Sequence, residues 1–423
     1  MEYRVVTNKA EDIPTSSAPG LKRTLSLGHA TLYGLGVTIG AGIYVLIGAA
    51  AAHSAMYAPA AFAIAALLIA FTAGSFAELV TRAPVAAGEA AYVALAFRSD
   101  RLATAVGLFV VGIAVISAAT ISVGAAGYIA VFLPLPGVVL IAAVVLAMGA
   151  IAAWGIKESM AFVGVMTLIE VGGLVVVILA GMAFLPGLFS RLPEMVPPLQ
   201  TPGTVGSILS TTLLAVFAFI GFESLANVAE EVEDPAHTIP WAILLTLVLS
   251  TLLYMLVVWI ALLAVPVPEL IHSSAPLALV FERLTGLSPR FMSAIAIIAT
   301  LNGIVIQIIL ASRVLYGLSR QGQLPAVFAE VNPKTRTPLF ATTITAMLVL
   351  LFALFIPLHD LADLTARLTL LVFAVVNLSL VRIKLRGDPP PEGVFVAPTW
   401  LPWAGCATCI ALLIAELALE TSL

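Results

Sequence analysis

Two acidic residues of this sequence lie inside segments that are otherwise apolar enough to cross a membrane. Glu170 has about a dozen apolar residues on either side, and Glu223 lies in the middle of another such segment. Charged side chains are costly in hydrocarbon and mark functional sites there. Because desolvation favours the neutral acid, Glu170 could bind and release a proton or ligate a cation such as sodium. The alternative is structural: Glu170 could hydrogen-bond an interrupted helix, and Glu223 could cap N–H groups freed in the first helix.

A run of glycines weakens the first apolar segment. Residues 31–48 contain five glycines, and each glycine weakens a helix by about 1 kcal/mol relative to alanine. An open turn in lipid leaves backbone groups unpaired, so it is tolerated only beside a polar cavity or a ligand. We therefore predict a binding turn at Thr38-Ile39-Gly40-Ala41-Gly42. The alternative is that these glycines only let neighbouring helices pack closely.

Composition identifies the class of protein. Hydrophobic residues make up 61% of the chain and charged residues 10%, with a mean hydropathy of +1.13. A soluble domain is about half apolar, so we predict an all-α integral membrane protein. Cys406 and Cys409 form a Cys-x-x-Cys pair within an apolar run and are interpreted as packing residues. The sequence has no metal-ligand cluster, phosphate loop or nucleophile–base pair. It therefore predicts no enzyme activity and no cofactor, metal or nucleic-acid partner.

Eleven apolar segments are long enough to cross about 30 Å of hydrocarbon. They are residues 28–52, 58–80, 102–132, 136–154, 158–185, 204–232, 240–264, 289–318, 338–357, 361–383 and 399–419. The connectors at residues 84–97 and 268–287 are moderately apolar and are predicted to be interfacial or re-entrant helices. Residues 1–27 are polar and show no cleavable signal, so they are predicted to form a cytoplasmic N-terminal segment.

The distribution of Lys and Arg predicts the orientation. Fourteen of these residues fall in loops on the side of the N-terminus and four on the other side, namely Arg191, Arg283, Arg290 and Arg367. Cytoplasmic loops carry the excess of positive charge. We therefore expect a multi-pass protein of the cell membrane with a cytoplasmic N-terminus and, after eleven spans, a C-terminus outside.

The spans divide into two blocks of five. Residues 28–185 would form a first repeat and residues 204–385 a second, inverted one, with the helix at 399–419 outside both. Many transporters are built from such inverted repeats, in which discontinuous helices form the binding site. The glycine-rich turn and the Gly221–Glu223 stretch give each block an interrupted first helix. The symmetry is one of position and not of sequence identity.

Four motifs resemble those of the amino acid-polyamine-organocation superfamily. They are Gly36-Val-Thr-Ile-Gly-Ala-Gly-Ile-Tyr44; Phe76-Ala-Glu-Leu with Pro84-Val-Ala-Ala-Gly-Glu-Ala-Ala-Tyr92; Phe219-Ile-Gly-Phe-Glu-Ser224 with Glu230-Glu-Val-Glu-Asp-Pro235; and Ala311-Ser-Arg-Val-Leu-Tyr-Gly-Leu-Ser-Arg-Gln-Gly-Gln-Leu-Pro325. Their order over most of the chain implies the leucine-transporter fold, a five-plus-five inverted repeat. The family usually has twelve helices, whereas eleven are predicted here, which leaves oligomer contacts open.

The resemblance also implies a substrate site for an amino acid. It assigns the substrate carboxylate to the backbone of Gly40, Ala41 and Gly42, and the ammonium to carbonyls near Thr38 and Ile220. This assignment agrees with the electrostatics of helix ends, since the N-terminus of a helix attracts anions and its C-terminus attracts cations. The remaining candidates at this site are the turn residues Ile39 and Ile43 and the aromatic side chains of Phe217 and Phe222, with Phe217 at the position of the family's aromatic gate.

The two acidic residues have counterparts in the resembling family. The position of Glu170 often holds a lysine there, whose ammonium replaces a coupling sodium ion, so the charge is reversed in this sequence. The position of Glu223 holds an acid that responds to pH and conformation. Both residues are therefore predicted to take part in ion coupling.

These features predict a symporter that imports an amino acid by alternating access, with a proton as the coupling ion. One alternative is a sodium-coupled or exchange-type carrier of an amine or a cationic amino acid. Another is a membrane sensor on the same fold that does not transport. The predicted partners are the small-molecule substrate, a proton or sodium, and the lipid bilayer, and the oligomeric state is left open.

Overall fold

The computed structural model describes residues 25–39, 42–82, 88–155, 160–197, 202–391 and 393–420. Within these ranges the regular elements are helices, and the one β-type contact joins Leu25 to Val232. The α-helices are α1 (Leu27–Ile39), α2 (Gly42–Ser54), α3 (Ala58–Arg82), α4 (Gly88–Phe97), α5 (Asp100–Ala130), α6 (Gly137–Trp154), α7 (Met160–Phe184), α8 (Pro202–Phe219), α9 (Pro235–Ala264), α10 (Val267–His272), α11 (Pro276–Thr285), α12 (Arg290–Arg320), α13 (Leu339–Phe355), α14 (Leu358–Leu385) and α15 (Leu401–Glu420).

Helices occupy all eleven segments that the sequence marks as spans. Nine stretches in the described part of the chain are long and apolar enough to cross a membrane. This count is lower than the eleven predicted spans for two reasons. A 3-10 turn at Ala55–Tyr57 joins α2 to α3 in one stretch of 41 residues, and α13 has only 17 residues and is not counted. The all-α membrane class is thereby confirmed. The connectors form the short helices α4, α10 and α11, which are too short to span.

Two of the spans are interrupted. The first consists of α1, which ends at Ile39, and α2, which begins at Gly42. The sixth consists of α8, which ends at Phe219, and a 3-10 helix over Phe222–Glu231. Gly221 separates these two helices with φ 134° and ψ −29°, a conformation that L-residues with a side chain rarely adopt.

The interrupted helices are held by long continuous ones. The N-terminal half-helix α1 packs against α7 and α9, and α2 packs against α8. The 31-residue helices α5 and α12 pack along each other and close the side of the bundle that faces the interruptions. Leu25, just before α1, pairs with the chain at the end of the 3-10 helix. Its N–H donates to Glu231 O (3.0 Å) and its carbonyl accepts from Glu233 N (2.9 Å).

A buried carboxylate anchors the segment between α14 and α15. Glu78 of α3 is fully buried and binds Arg82 through Oε1 at 2.7 Å. Its Oε2 lies 2.7 Å from Lys384 Nζ and accepts from the N–H of Ala397 at 2.9 Å. Since the carboxylate is paired on both oxygens, its charge is compensated, and the Phe76-Ala-Glu-Leu motif has a structural role in this fold.

One arginine that the orientation argument counts as a loop residue lies within a helix. Arg367 is within α14 and not in a loop, and its guanidinium is 3.7 Å from the carboxylate of Glu416 on α15. Removing it from the loop count widens the excess of positive charge on the predicted cytoplasmic side. The orientation itself stays a prediction.

Candidate functional site

The two interruptions touch each other through their backbones. A Cβ placed on Gly221 would lie 2.8 Å from the backbone N of Thr38 and from the carbonyl group of Val37. A Cβ placed on Gly42 would lie 2.7 Å from the Cα of Ala218. The end of α1 therefore packs against the break in the sixth span, and the start of α2 packs against the end of α8. Glycine is required at both points because the neighbouring atoms are backbone and cannot rotate away.

Tyr254 of α9 joins the ends of the two half-helices. Its hydroxyl oxygen lies 2.8 Å from the carbonyl oxygen of Thr38 and 2.9 Å from that of Ala218. Each of these residues comes one position before the end of its helix, where carbonyls have no partner within the helix. The side chain of Tyr254 is fully buried. One hydroxyl thus serves carbonyls from both interrupted spans.

A cavity lies beside this junction and is lined by four helical regions. The lining residues are Gly36, Val37, Thr38, Gly42, Ser117, Ile121, Phe217, Ile220, Gly303, Ile306 and Gln307. They come from the first span, α5, the end of α8 and α12, so both halves of the chain contribute. Among these described residues the polar side chains are a threonine, a serine and a glutamine, and none carries a charge. The contributions of α5 and α12 were not predicted from the sequence.

The predicted substrate residues fall into three groups. Thr38, Gly42, Phe217 and Ile220 line the cavity, whereas Gly40 and Ala41 lie outside the described residues. The others, Ile39, Ile43 and Phe222, are buried in the core and are not among the lining residues.

Phe222 illustrates how the third group is packed. Its ring centroid is 5.7 Å from that of Phe76 and 5.6 Å from that of Phe373, so it belongs to an aromatic cluster behind the cavity. Direct contact of Ile39, Ile43 or Phe222 with a substrate stays a prediction.

Glu170 is fully buried between α7 and α12. Its Oε1 accepts a hydrogen bond from Asn302 Nδ2 at 3.2 Å, and its Oε2 has no hydrogen-bond partner in the described structure. No Lys or Arg in the described part of the chain forms an ion pair with it. A buried, ionised carboxylate without a counter-charge is very unfavourable. The arrangement therefore suits a protonated acid or a carboxylate that holds a small cation.

The backbone around Glu170 connects it to the first span. The hydroxyl of Tyr44 on α2 donates to the carbonyl of Glu170 at 2.5 Å. One turn earlier in α7, Thr167 packs so closely on Gly36 of α1 that a side chain at that glycine would clash with its hydroxyl. The segment of α7 that contains Thr167 and Glu170 thus contacts both half-helices of the first span.

Glu223 caps the break in its own span. Its Oε2 accepts a hydrogen bond from the N–H of Gly221 at 2.8 Å. Capping of N–H groups in the first helix is the alternative that the sequence leaves open for Glu223. The turn residues Gly40 and Ala41 of that helix lie outside the described residues, so this alternative stays a prediction. The described contact shows that the 3-10 turn brings the carboxylate back onto the residue two positions before it. A role of Glu223 in ion coupling stays a prediction.

The electrostatics of the junction match a zwitterion. The C-terminal ends of α1 and α8 direct carbonyl oxygens and the negative ends of their dipoles toward it, which favours a cationic group. The N-terminal end of α2 begins at Gly42 and favours an anionic group. Ammonium and carboxylate of one small molecule could be bound together where these ends meet. The apolar lining beside them would then contact its side chain.

Comparisons with known proteins agree with this geometry. Residues 25–419 match a family described as amino acid permease. The branched-chain amino acid permease BcaP of Bacillus subtilis is 28% identical over 403 residues, covering 89% of this chain and 84% of that protein. The vacuolar cationic amino acid transporter 2 of Arabidopsis thaliana is 29% identical over 411 residues, covering 92% of this chain and 64% of that protein. The methylthioribose transporter of Bacillus subtilis is 28% identical over 406 residues, covering 90% and 86%.

Proposed function

This chain belongs to the amino acid permease family, and we propose that it is a proton-coupled secondary transporter that imports an amino acid across the cell membrane by alternating access. A permease is a carrier and not an enzyme. The single observation that carries the proposal is the junction of two interrupted helices beside a cavity, with carbonyl ends of α1 and α8 and the amide end of α2 meeting there. This arrangement supports recognition of a zwitterion by backbone groups.

The lining of the cavity supports a neutral amino acid with an apolar side chain. The described lining residues outside the junction include Ile121, Phe217 and Ile306, and none of them is charged. A cationic side chain buried there would need a counter-charge. The name of the Bacillus subtilis branched-chain permease is in line with this proposal, whereas the plant relative is named for cationic amino acids. A cationic amino acid or an amine is therefore the second candidate substrate.

Glu170 is proposed as the coupling group. Its Oε1 accepts a hydrogen bond from Asn302 of α12, its Oε2 has no hydrogen-bond partner in the described structure, and it has no Lys or Arg beside it there. A protonated Glu170 is neutral, whereas the ionised form needs a cation. Proton binding would therefore favour one arrangement of α1, α7 and α12 over another. Sodium coupling through the same carboxylate and uncoupled exchange are the alternatives to a proton.

Uptake by purified protein in proteoliposomes tests the proposal. We expect a radiolabelled branched-chain amino acid to accumulate when the outside is acidic, and not to accumulate when a sodium gradient is applied at equal pH on both sides. Arginine, a polyamine and methylthioribose serve as comparison substrates. Accumulation that follows sodium alone would overturn proton coupling. Absence of transport and of counterflow for every substrate would overturn the transporter assignment and favour a sensor.

Phe217 gives a prediction about the substrate side chain. Its ring lines the cavity and is almost fully buried, so Phe217→Ala removes apolar contact area from a bound substrate. We expect amino acid affinity to fall by about 1 to 3 kcal/mol, and Phe217→Trp to be tolerated. The matched control is Phe222→Ala, which removes a ring from the cluster behind the cavity. Unchanged affinity in Phe217→Ala, measured by equilibrium binding, would contradict a direct contact.

A further inference from the structure

We infer that Tyr254 is a positioning residue for the substrate ammonium, because its hydroxyl holds the carbonyls of both interrupted spans in one fixed arrangement. The inference rests on the proposed function and adds to it a residue outside the four family-like motifs. Tyr254 lies in the middle of α9, a continuous helix with no break of its own. Its ring does not line the cavity.

The two acceptors of the hydroxyl occupy equivalent positions in the two spans. Thr38 and Ala218 are each the residue before the last of their half-helix. They are 216 and 36 residues away from Tyr254 in sequence, so no local structure brings these three groups together. A buried carbonyl at a helix end must find a donor outside the helix. Tyr254 is the described donor at this point.

The ring of Tyr254 is buried and packs against two other aromatic rings. Its centroid is 5.9 Å from that of Phe62 on α3 and 5.2 Å from that of Phe219 at the end of α8. Both contacts are tilted or edge-on, the arrangements that aromatic pairs prefer. With the ring fixed, the oxygen stays within hydrogen-bonding distance of both carbonyls. The hydroxyl has a single hydrogen, so the two carbonyls share it or compete for it.

The shared hydroxyl leaves room for a cationic group. A carbonyl oxygen accepts two hydrogen bonds, and Tyr254 uses one of them on Thr38. Thr38 is one of the lining residues of the cavity, which places its backbone close to a bound substrate. Without the hydroxyl, two partial negative charges at the helix ends would repel each other and the ends would separate. The substrate ammonium would then lose the fixed arrangement of the carbonyl ends beside the cavity, where Thr38 and Ile220 are lining residues, whereas its carboxylate would keep the amide end of α2.

The test compares two ligands that differ only in the amino group. The affinities of a branched-chain amino acid and of the same carboxylic acid without the amino group are measured by competition, on purified wild-type protein and on Tyr254→Phe. We expect the preference for the amino acid to fall at least tenfold in Tyr254→Phe, with little change for the deaminated acid. The control is Tyr128→Phe, which removes an equally buried hydroxyl that donates to the carbonyl of Tyr44. This control should lose stability without a change in the preference.

Replacement of Tyr254 by 4-aminophenylalanine supplies N–H donors at the same position and is expected to restore the preference. Should Tyr254→Phe not fold, Tyr254→Leu, whose side chain has no donor, is measured instead with the same expected fall. A preference that is unchanged in the folded variant, or that falls equally in Tyr128→Phe, overturns the inference while leaving the proposed function intact. Wild-type protein that binds no amino acid at all overturns both.

Discussion

Gly221→Ala is expected to abolish amino acid binding and uptake while the protein still inserts into the membrane. The residue has φ 134°, and a non-glycine residue held in such a conformation costs about 1 to 3 kcal/mol. The added methyl group would also lie 2.8 Å from the backbone of Val37 and Thr38. Both effects act on the same contact, the one between the end of α1 and the break in the sixth span. The substitution therefore separates the two interruptions that form the site.

Gly42→Val is the companion substitution on the other side of the junction. Its Cβ would lie 2.7 Å from the Cα of Ala218, and the branched side chain has little freedom to avoid the contact. The branched side chain would also crowd the backbone to which the resemblance assigns the substrate carboxylate. The structure adds a second cause, because the start of α2 packs directly on α8. We expect binding to be lost in this variant as well.

Gly112→Ala is the matched control for both substitutions. Gly112 lies within α5, and a Cβ there would meet no atom within 4 Å. Alanine in a helix is more stable than glycine by about 1 kcal/mol, so this variant should bind normally and be at least as stable. Binding is measured on purified protein that elutes as a single species, which separates loss of the site from loss of folding. Near-normal affinity in Gly221→Ala or Gly42→Val would refute the assignment of the junction as the site.

The sequence predicts the helices of this fold well because their signal is local. Long apolar runs give all eleven segments, and glycine at 42 and 221 marks the two places where helices end or begin. A helix in lipid satisfies its own backbone, so each span is readable without knowledge of its neighbours. The same argument fails for α13, whose 17 residues form a shorter helix than the apolar run suggests.

The candidate site is less predictable because its key contacts are between distant residues. Tyr254 is one aromatic residue in an apolar run, and its partners are backbone carbonyls, which leave no mark in a sequence. Asn302 and Gln307 did carry a signal, since amide side chains are rare within a span. The partner of Asn302 lies on another helix, however, and no local pattern shows that Gln307 lines the cavity. For Phe217 and Phe222 the distinction in the sequence came from the resemblance, which puts Phe217 at the gate position. In the structure Phe217 lines the cavity and Phe222 packs on Phe76.

Glu170→Gln is expected to abolish gradient-driven accumulation while substrate binding and exchange persist. Glutamine has the shape of the protonated acid and can keep the contact that Asn302 makes with Oε1, so the site is preserved. It cannot release a proton, and the difference between the two charge states of Glu170 is lost. In wild-type protein we expect uptake to rise as the external pH falls, because an inward proton gradient then favours the protonated carboxylate on the outer side. In Glu170→Gln this pH dependence should disappear.

The matched control for Glu170→Gln is Glu416→Gln, which alters another buried carboxylate in a span, one whose oxygen lies 3.7 Å from Arg367. Its uptake should keep the wild-type pH profile, since this carboxylate lies on α15 and already has a guanidinium beside it. Accumulation is measured in proteoliposomes with an imposed proton gradient, and exchange is measured as counterflow at equal pH. Under the proposed coupling, the proton gradient supplies the free energy and a differential affinity of the two conformations for the proton couples it to the conformational change; a tenfold difference corresponds to about 1.4 kcal/mol. Proton-driven accumulation that persists in Glu170→Gln with an unchanged pH profile would refute the coupling role and direct attention to Glu223. If wild-type uptake instead depends on external sodium at fixed pH, Glu170 is a sodium ligand and not a proton-binding group.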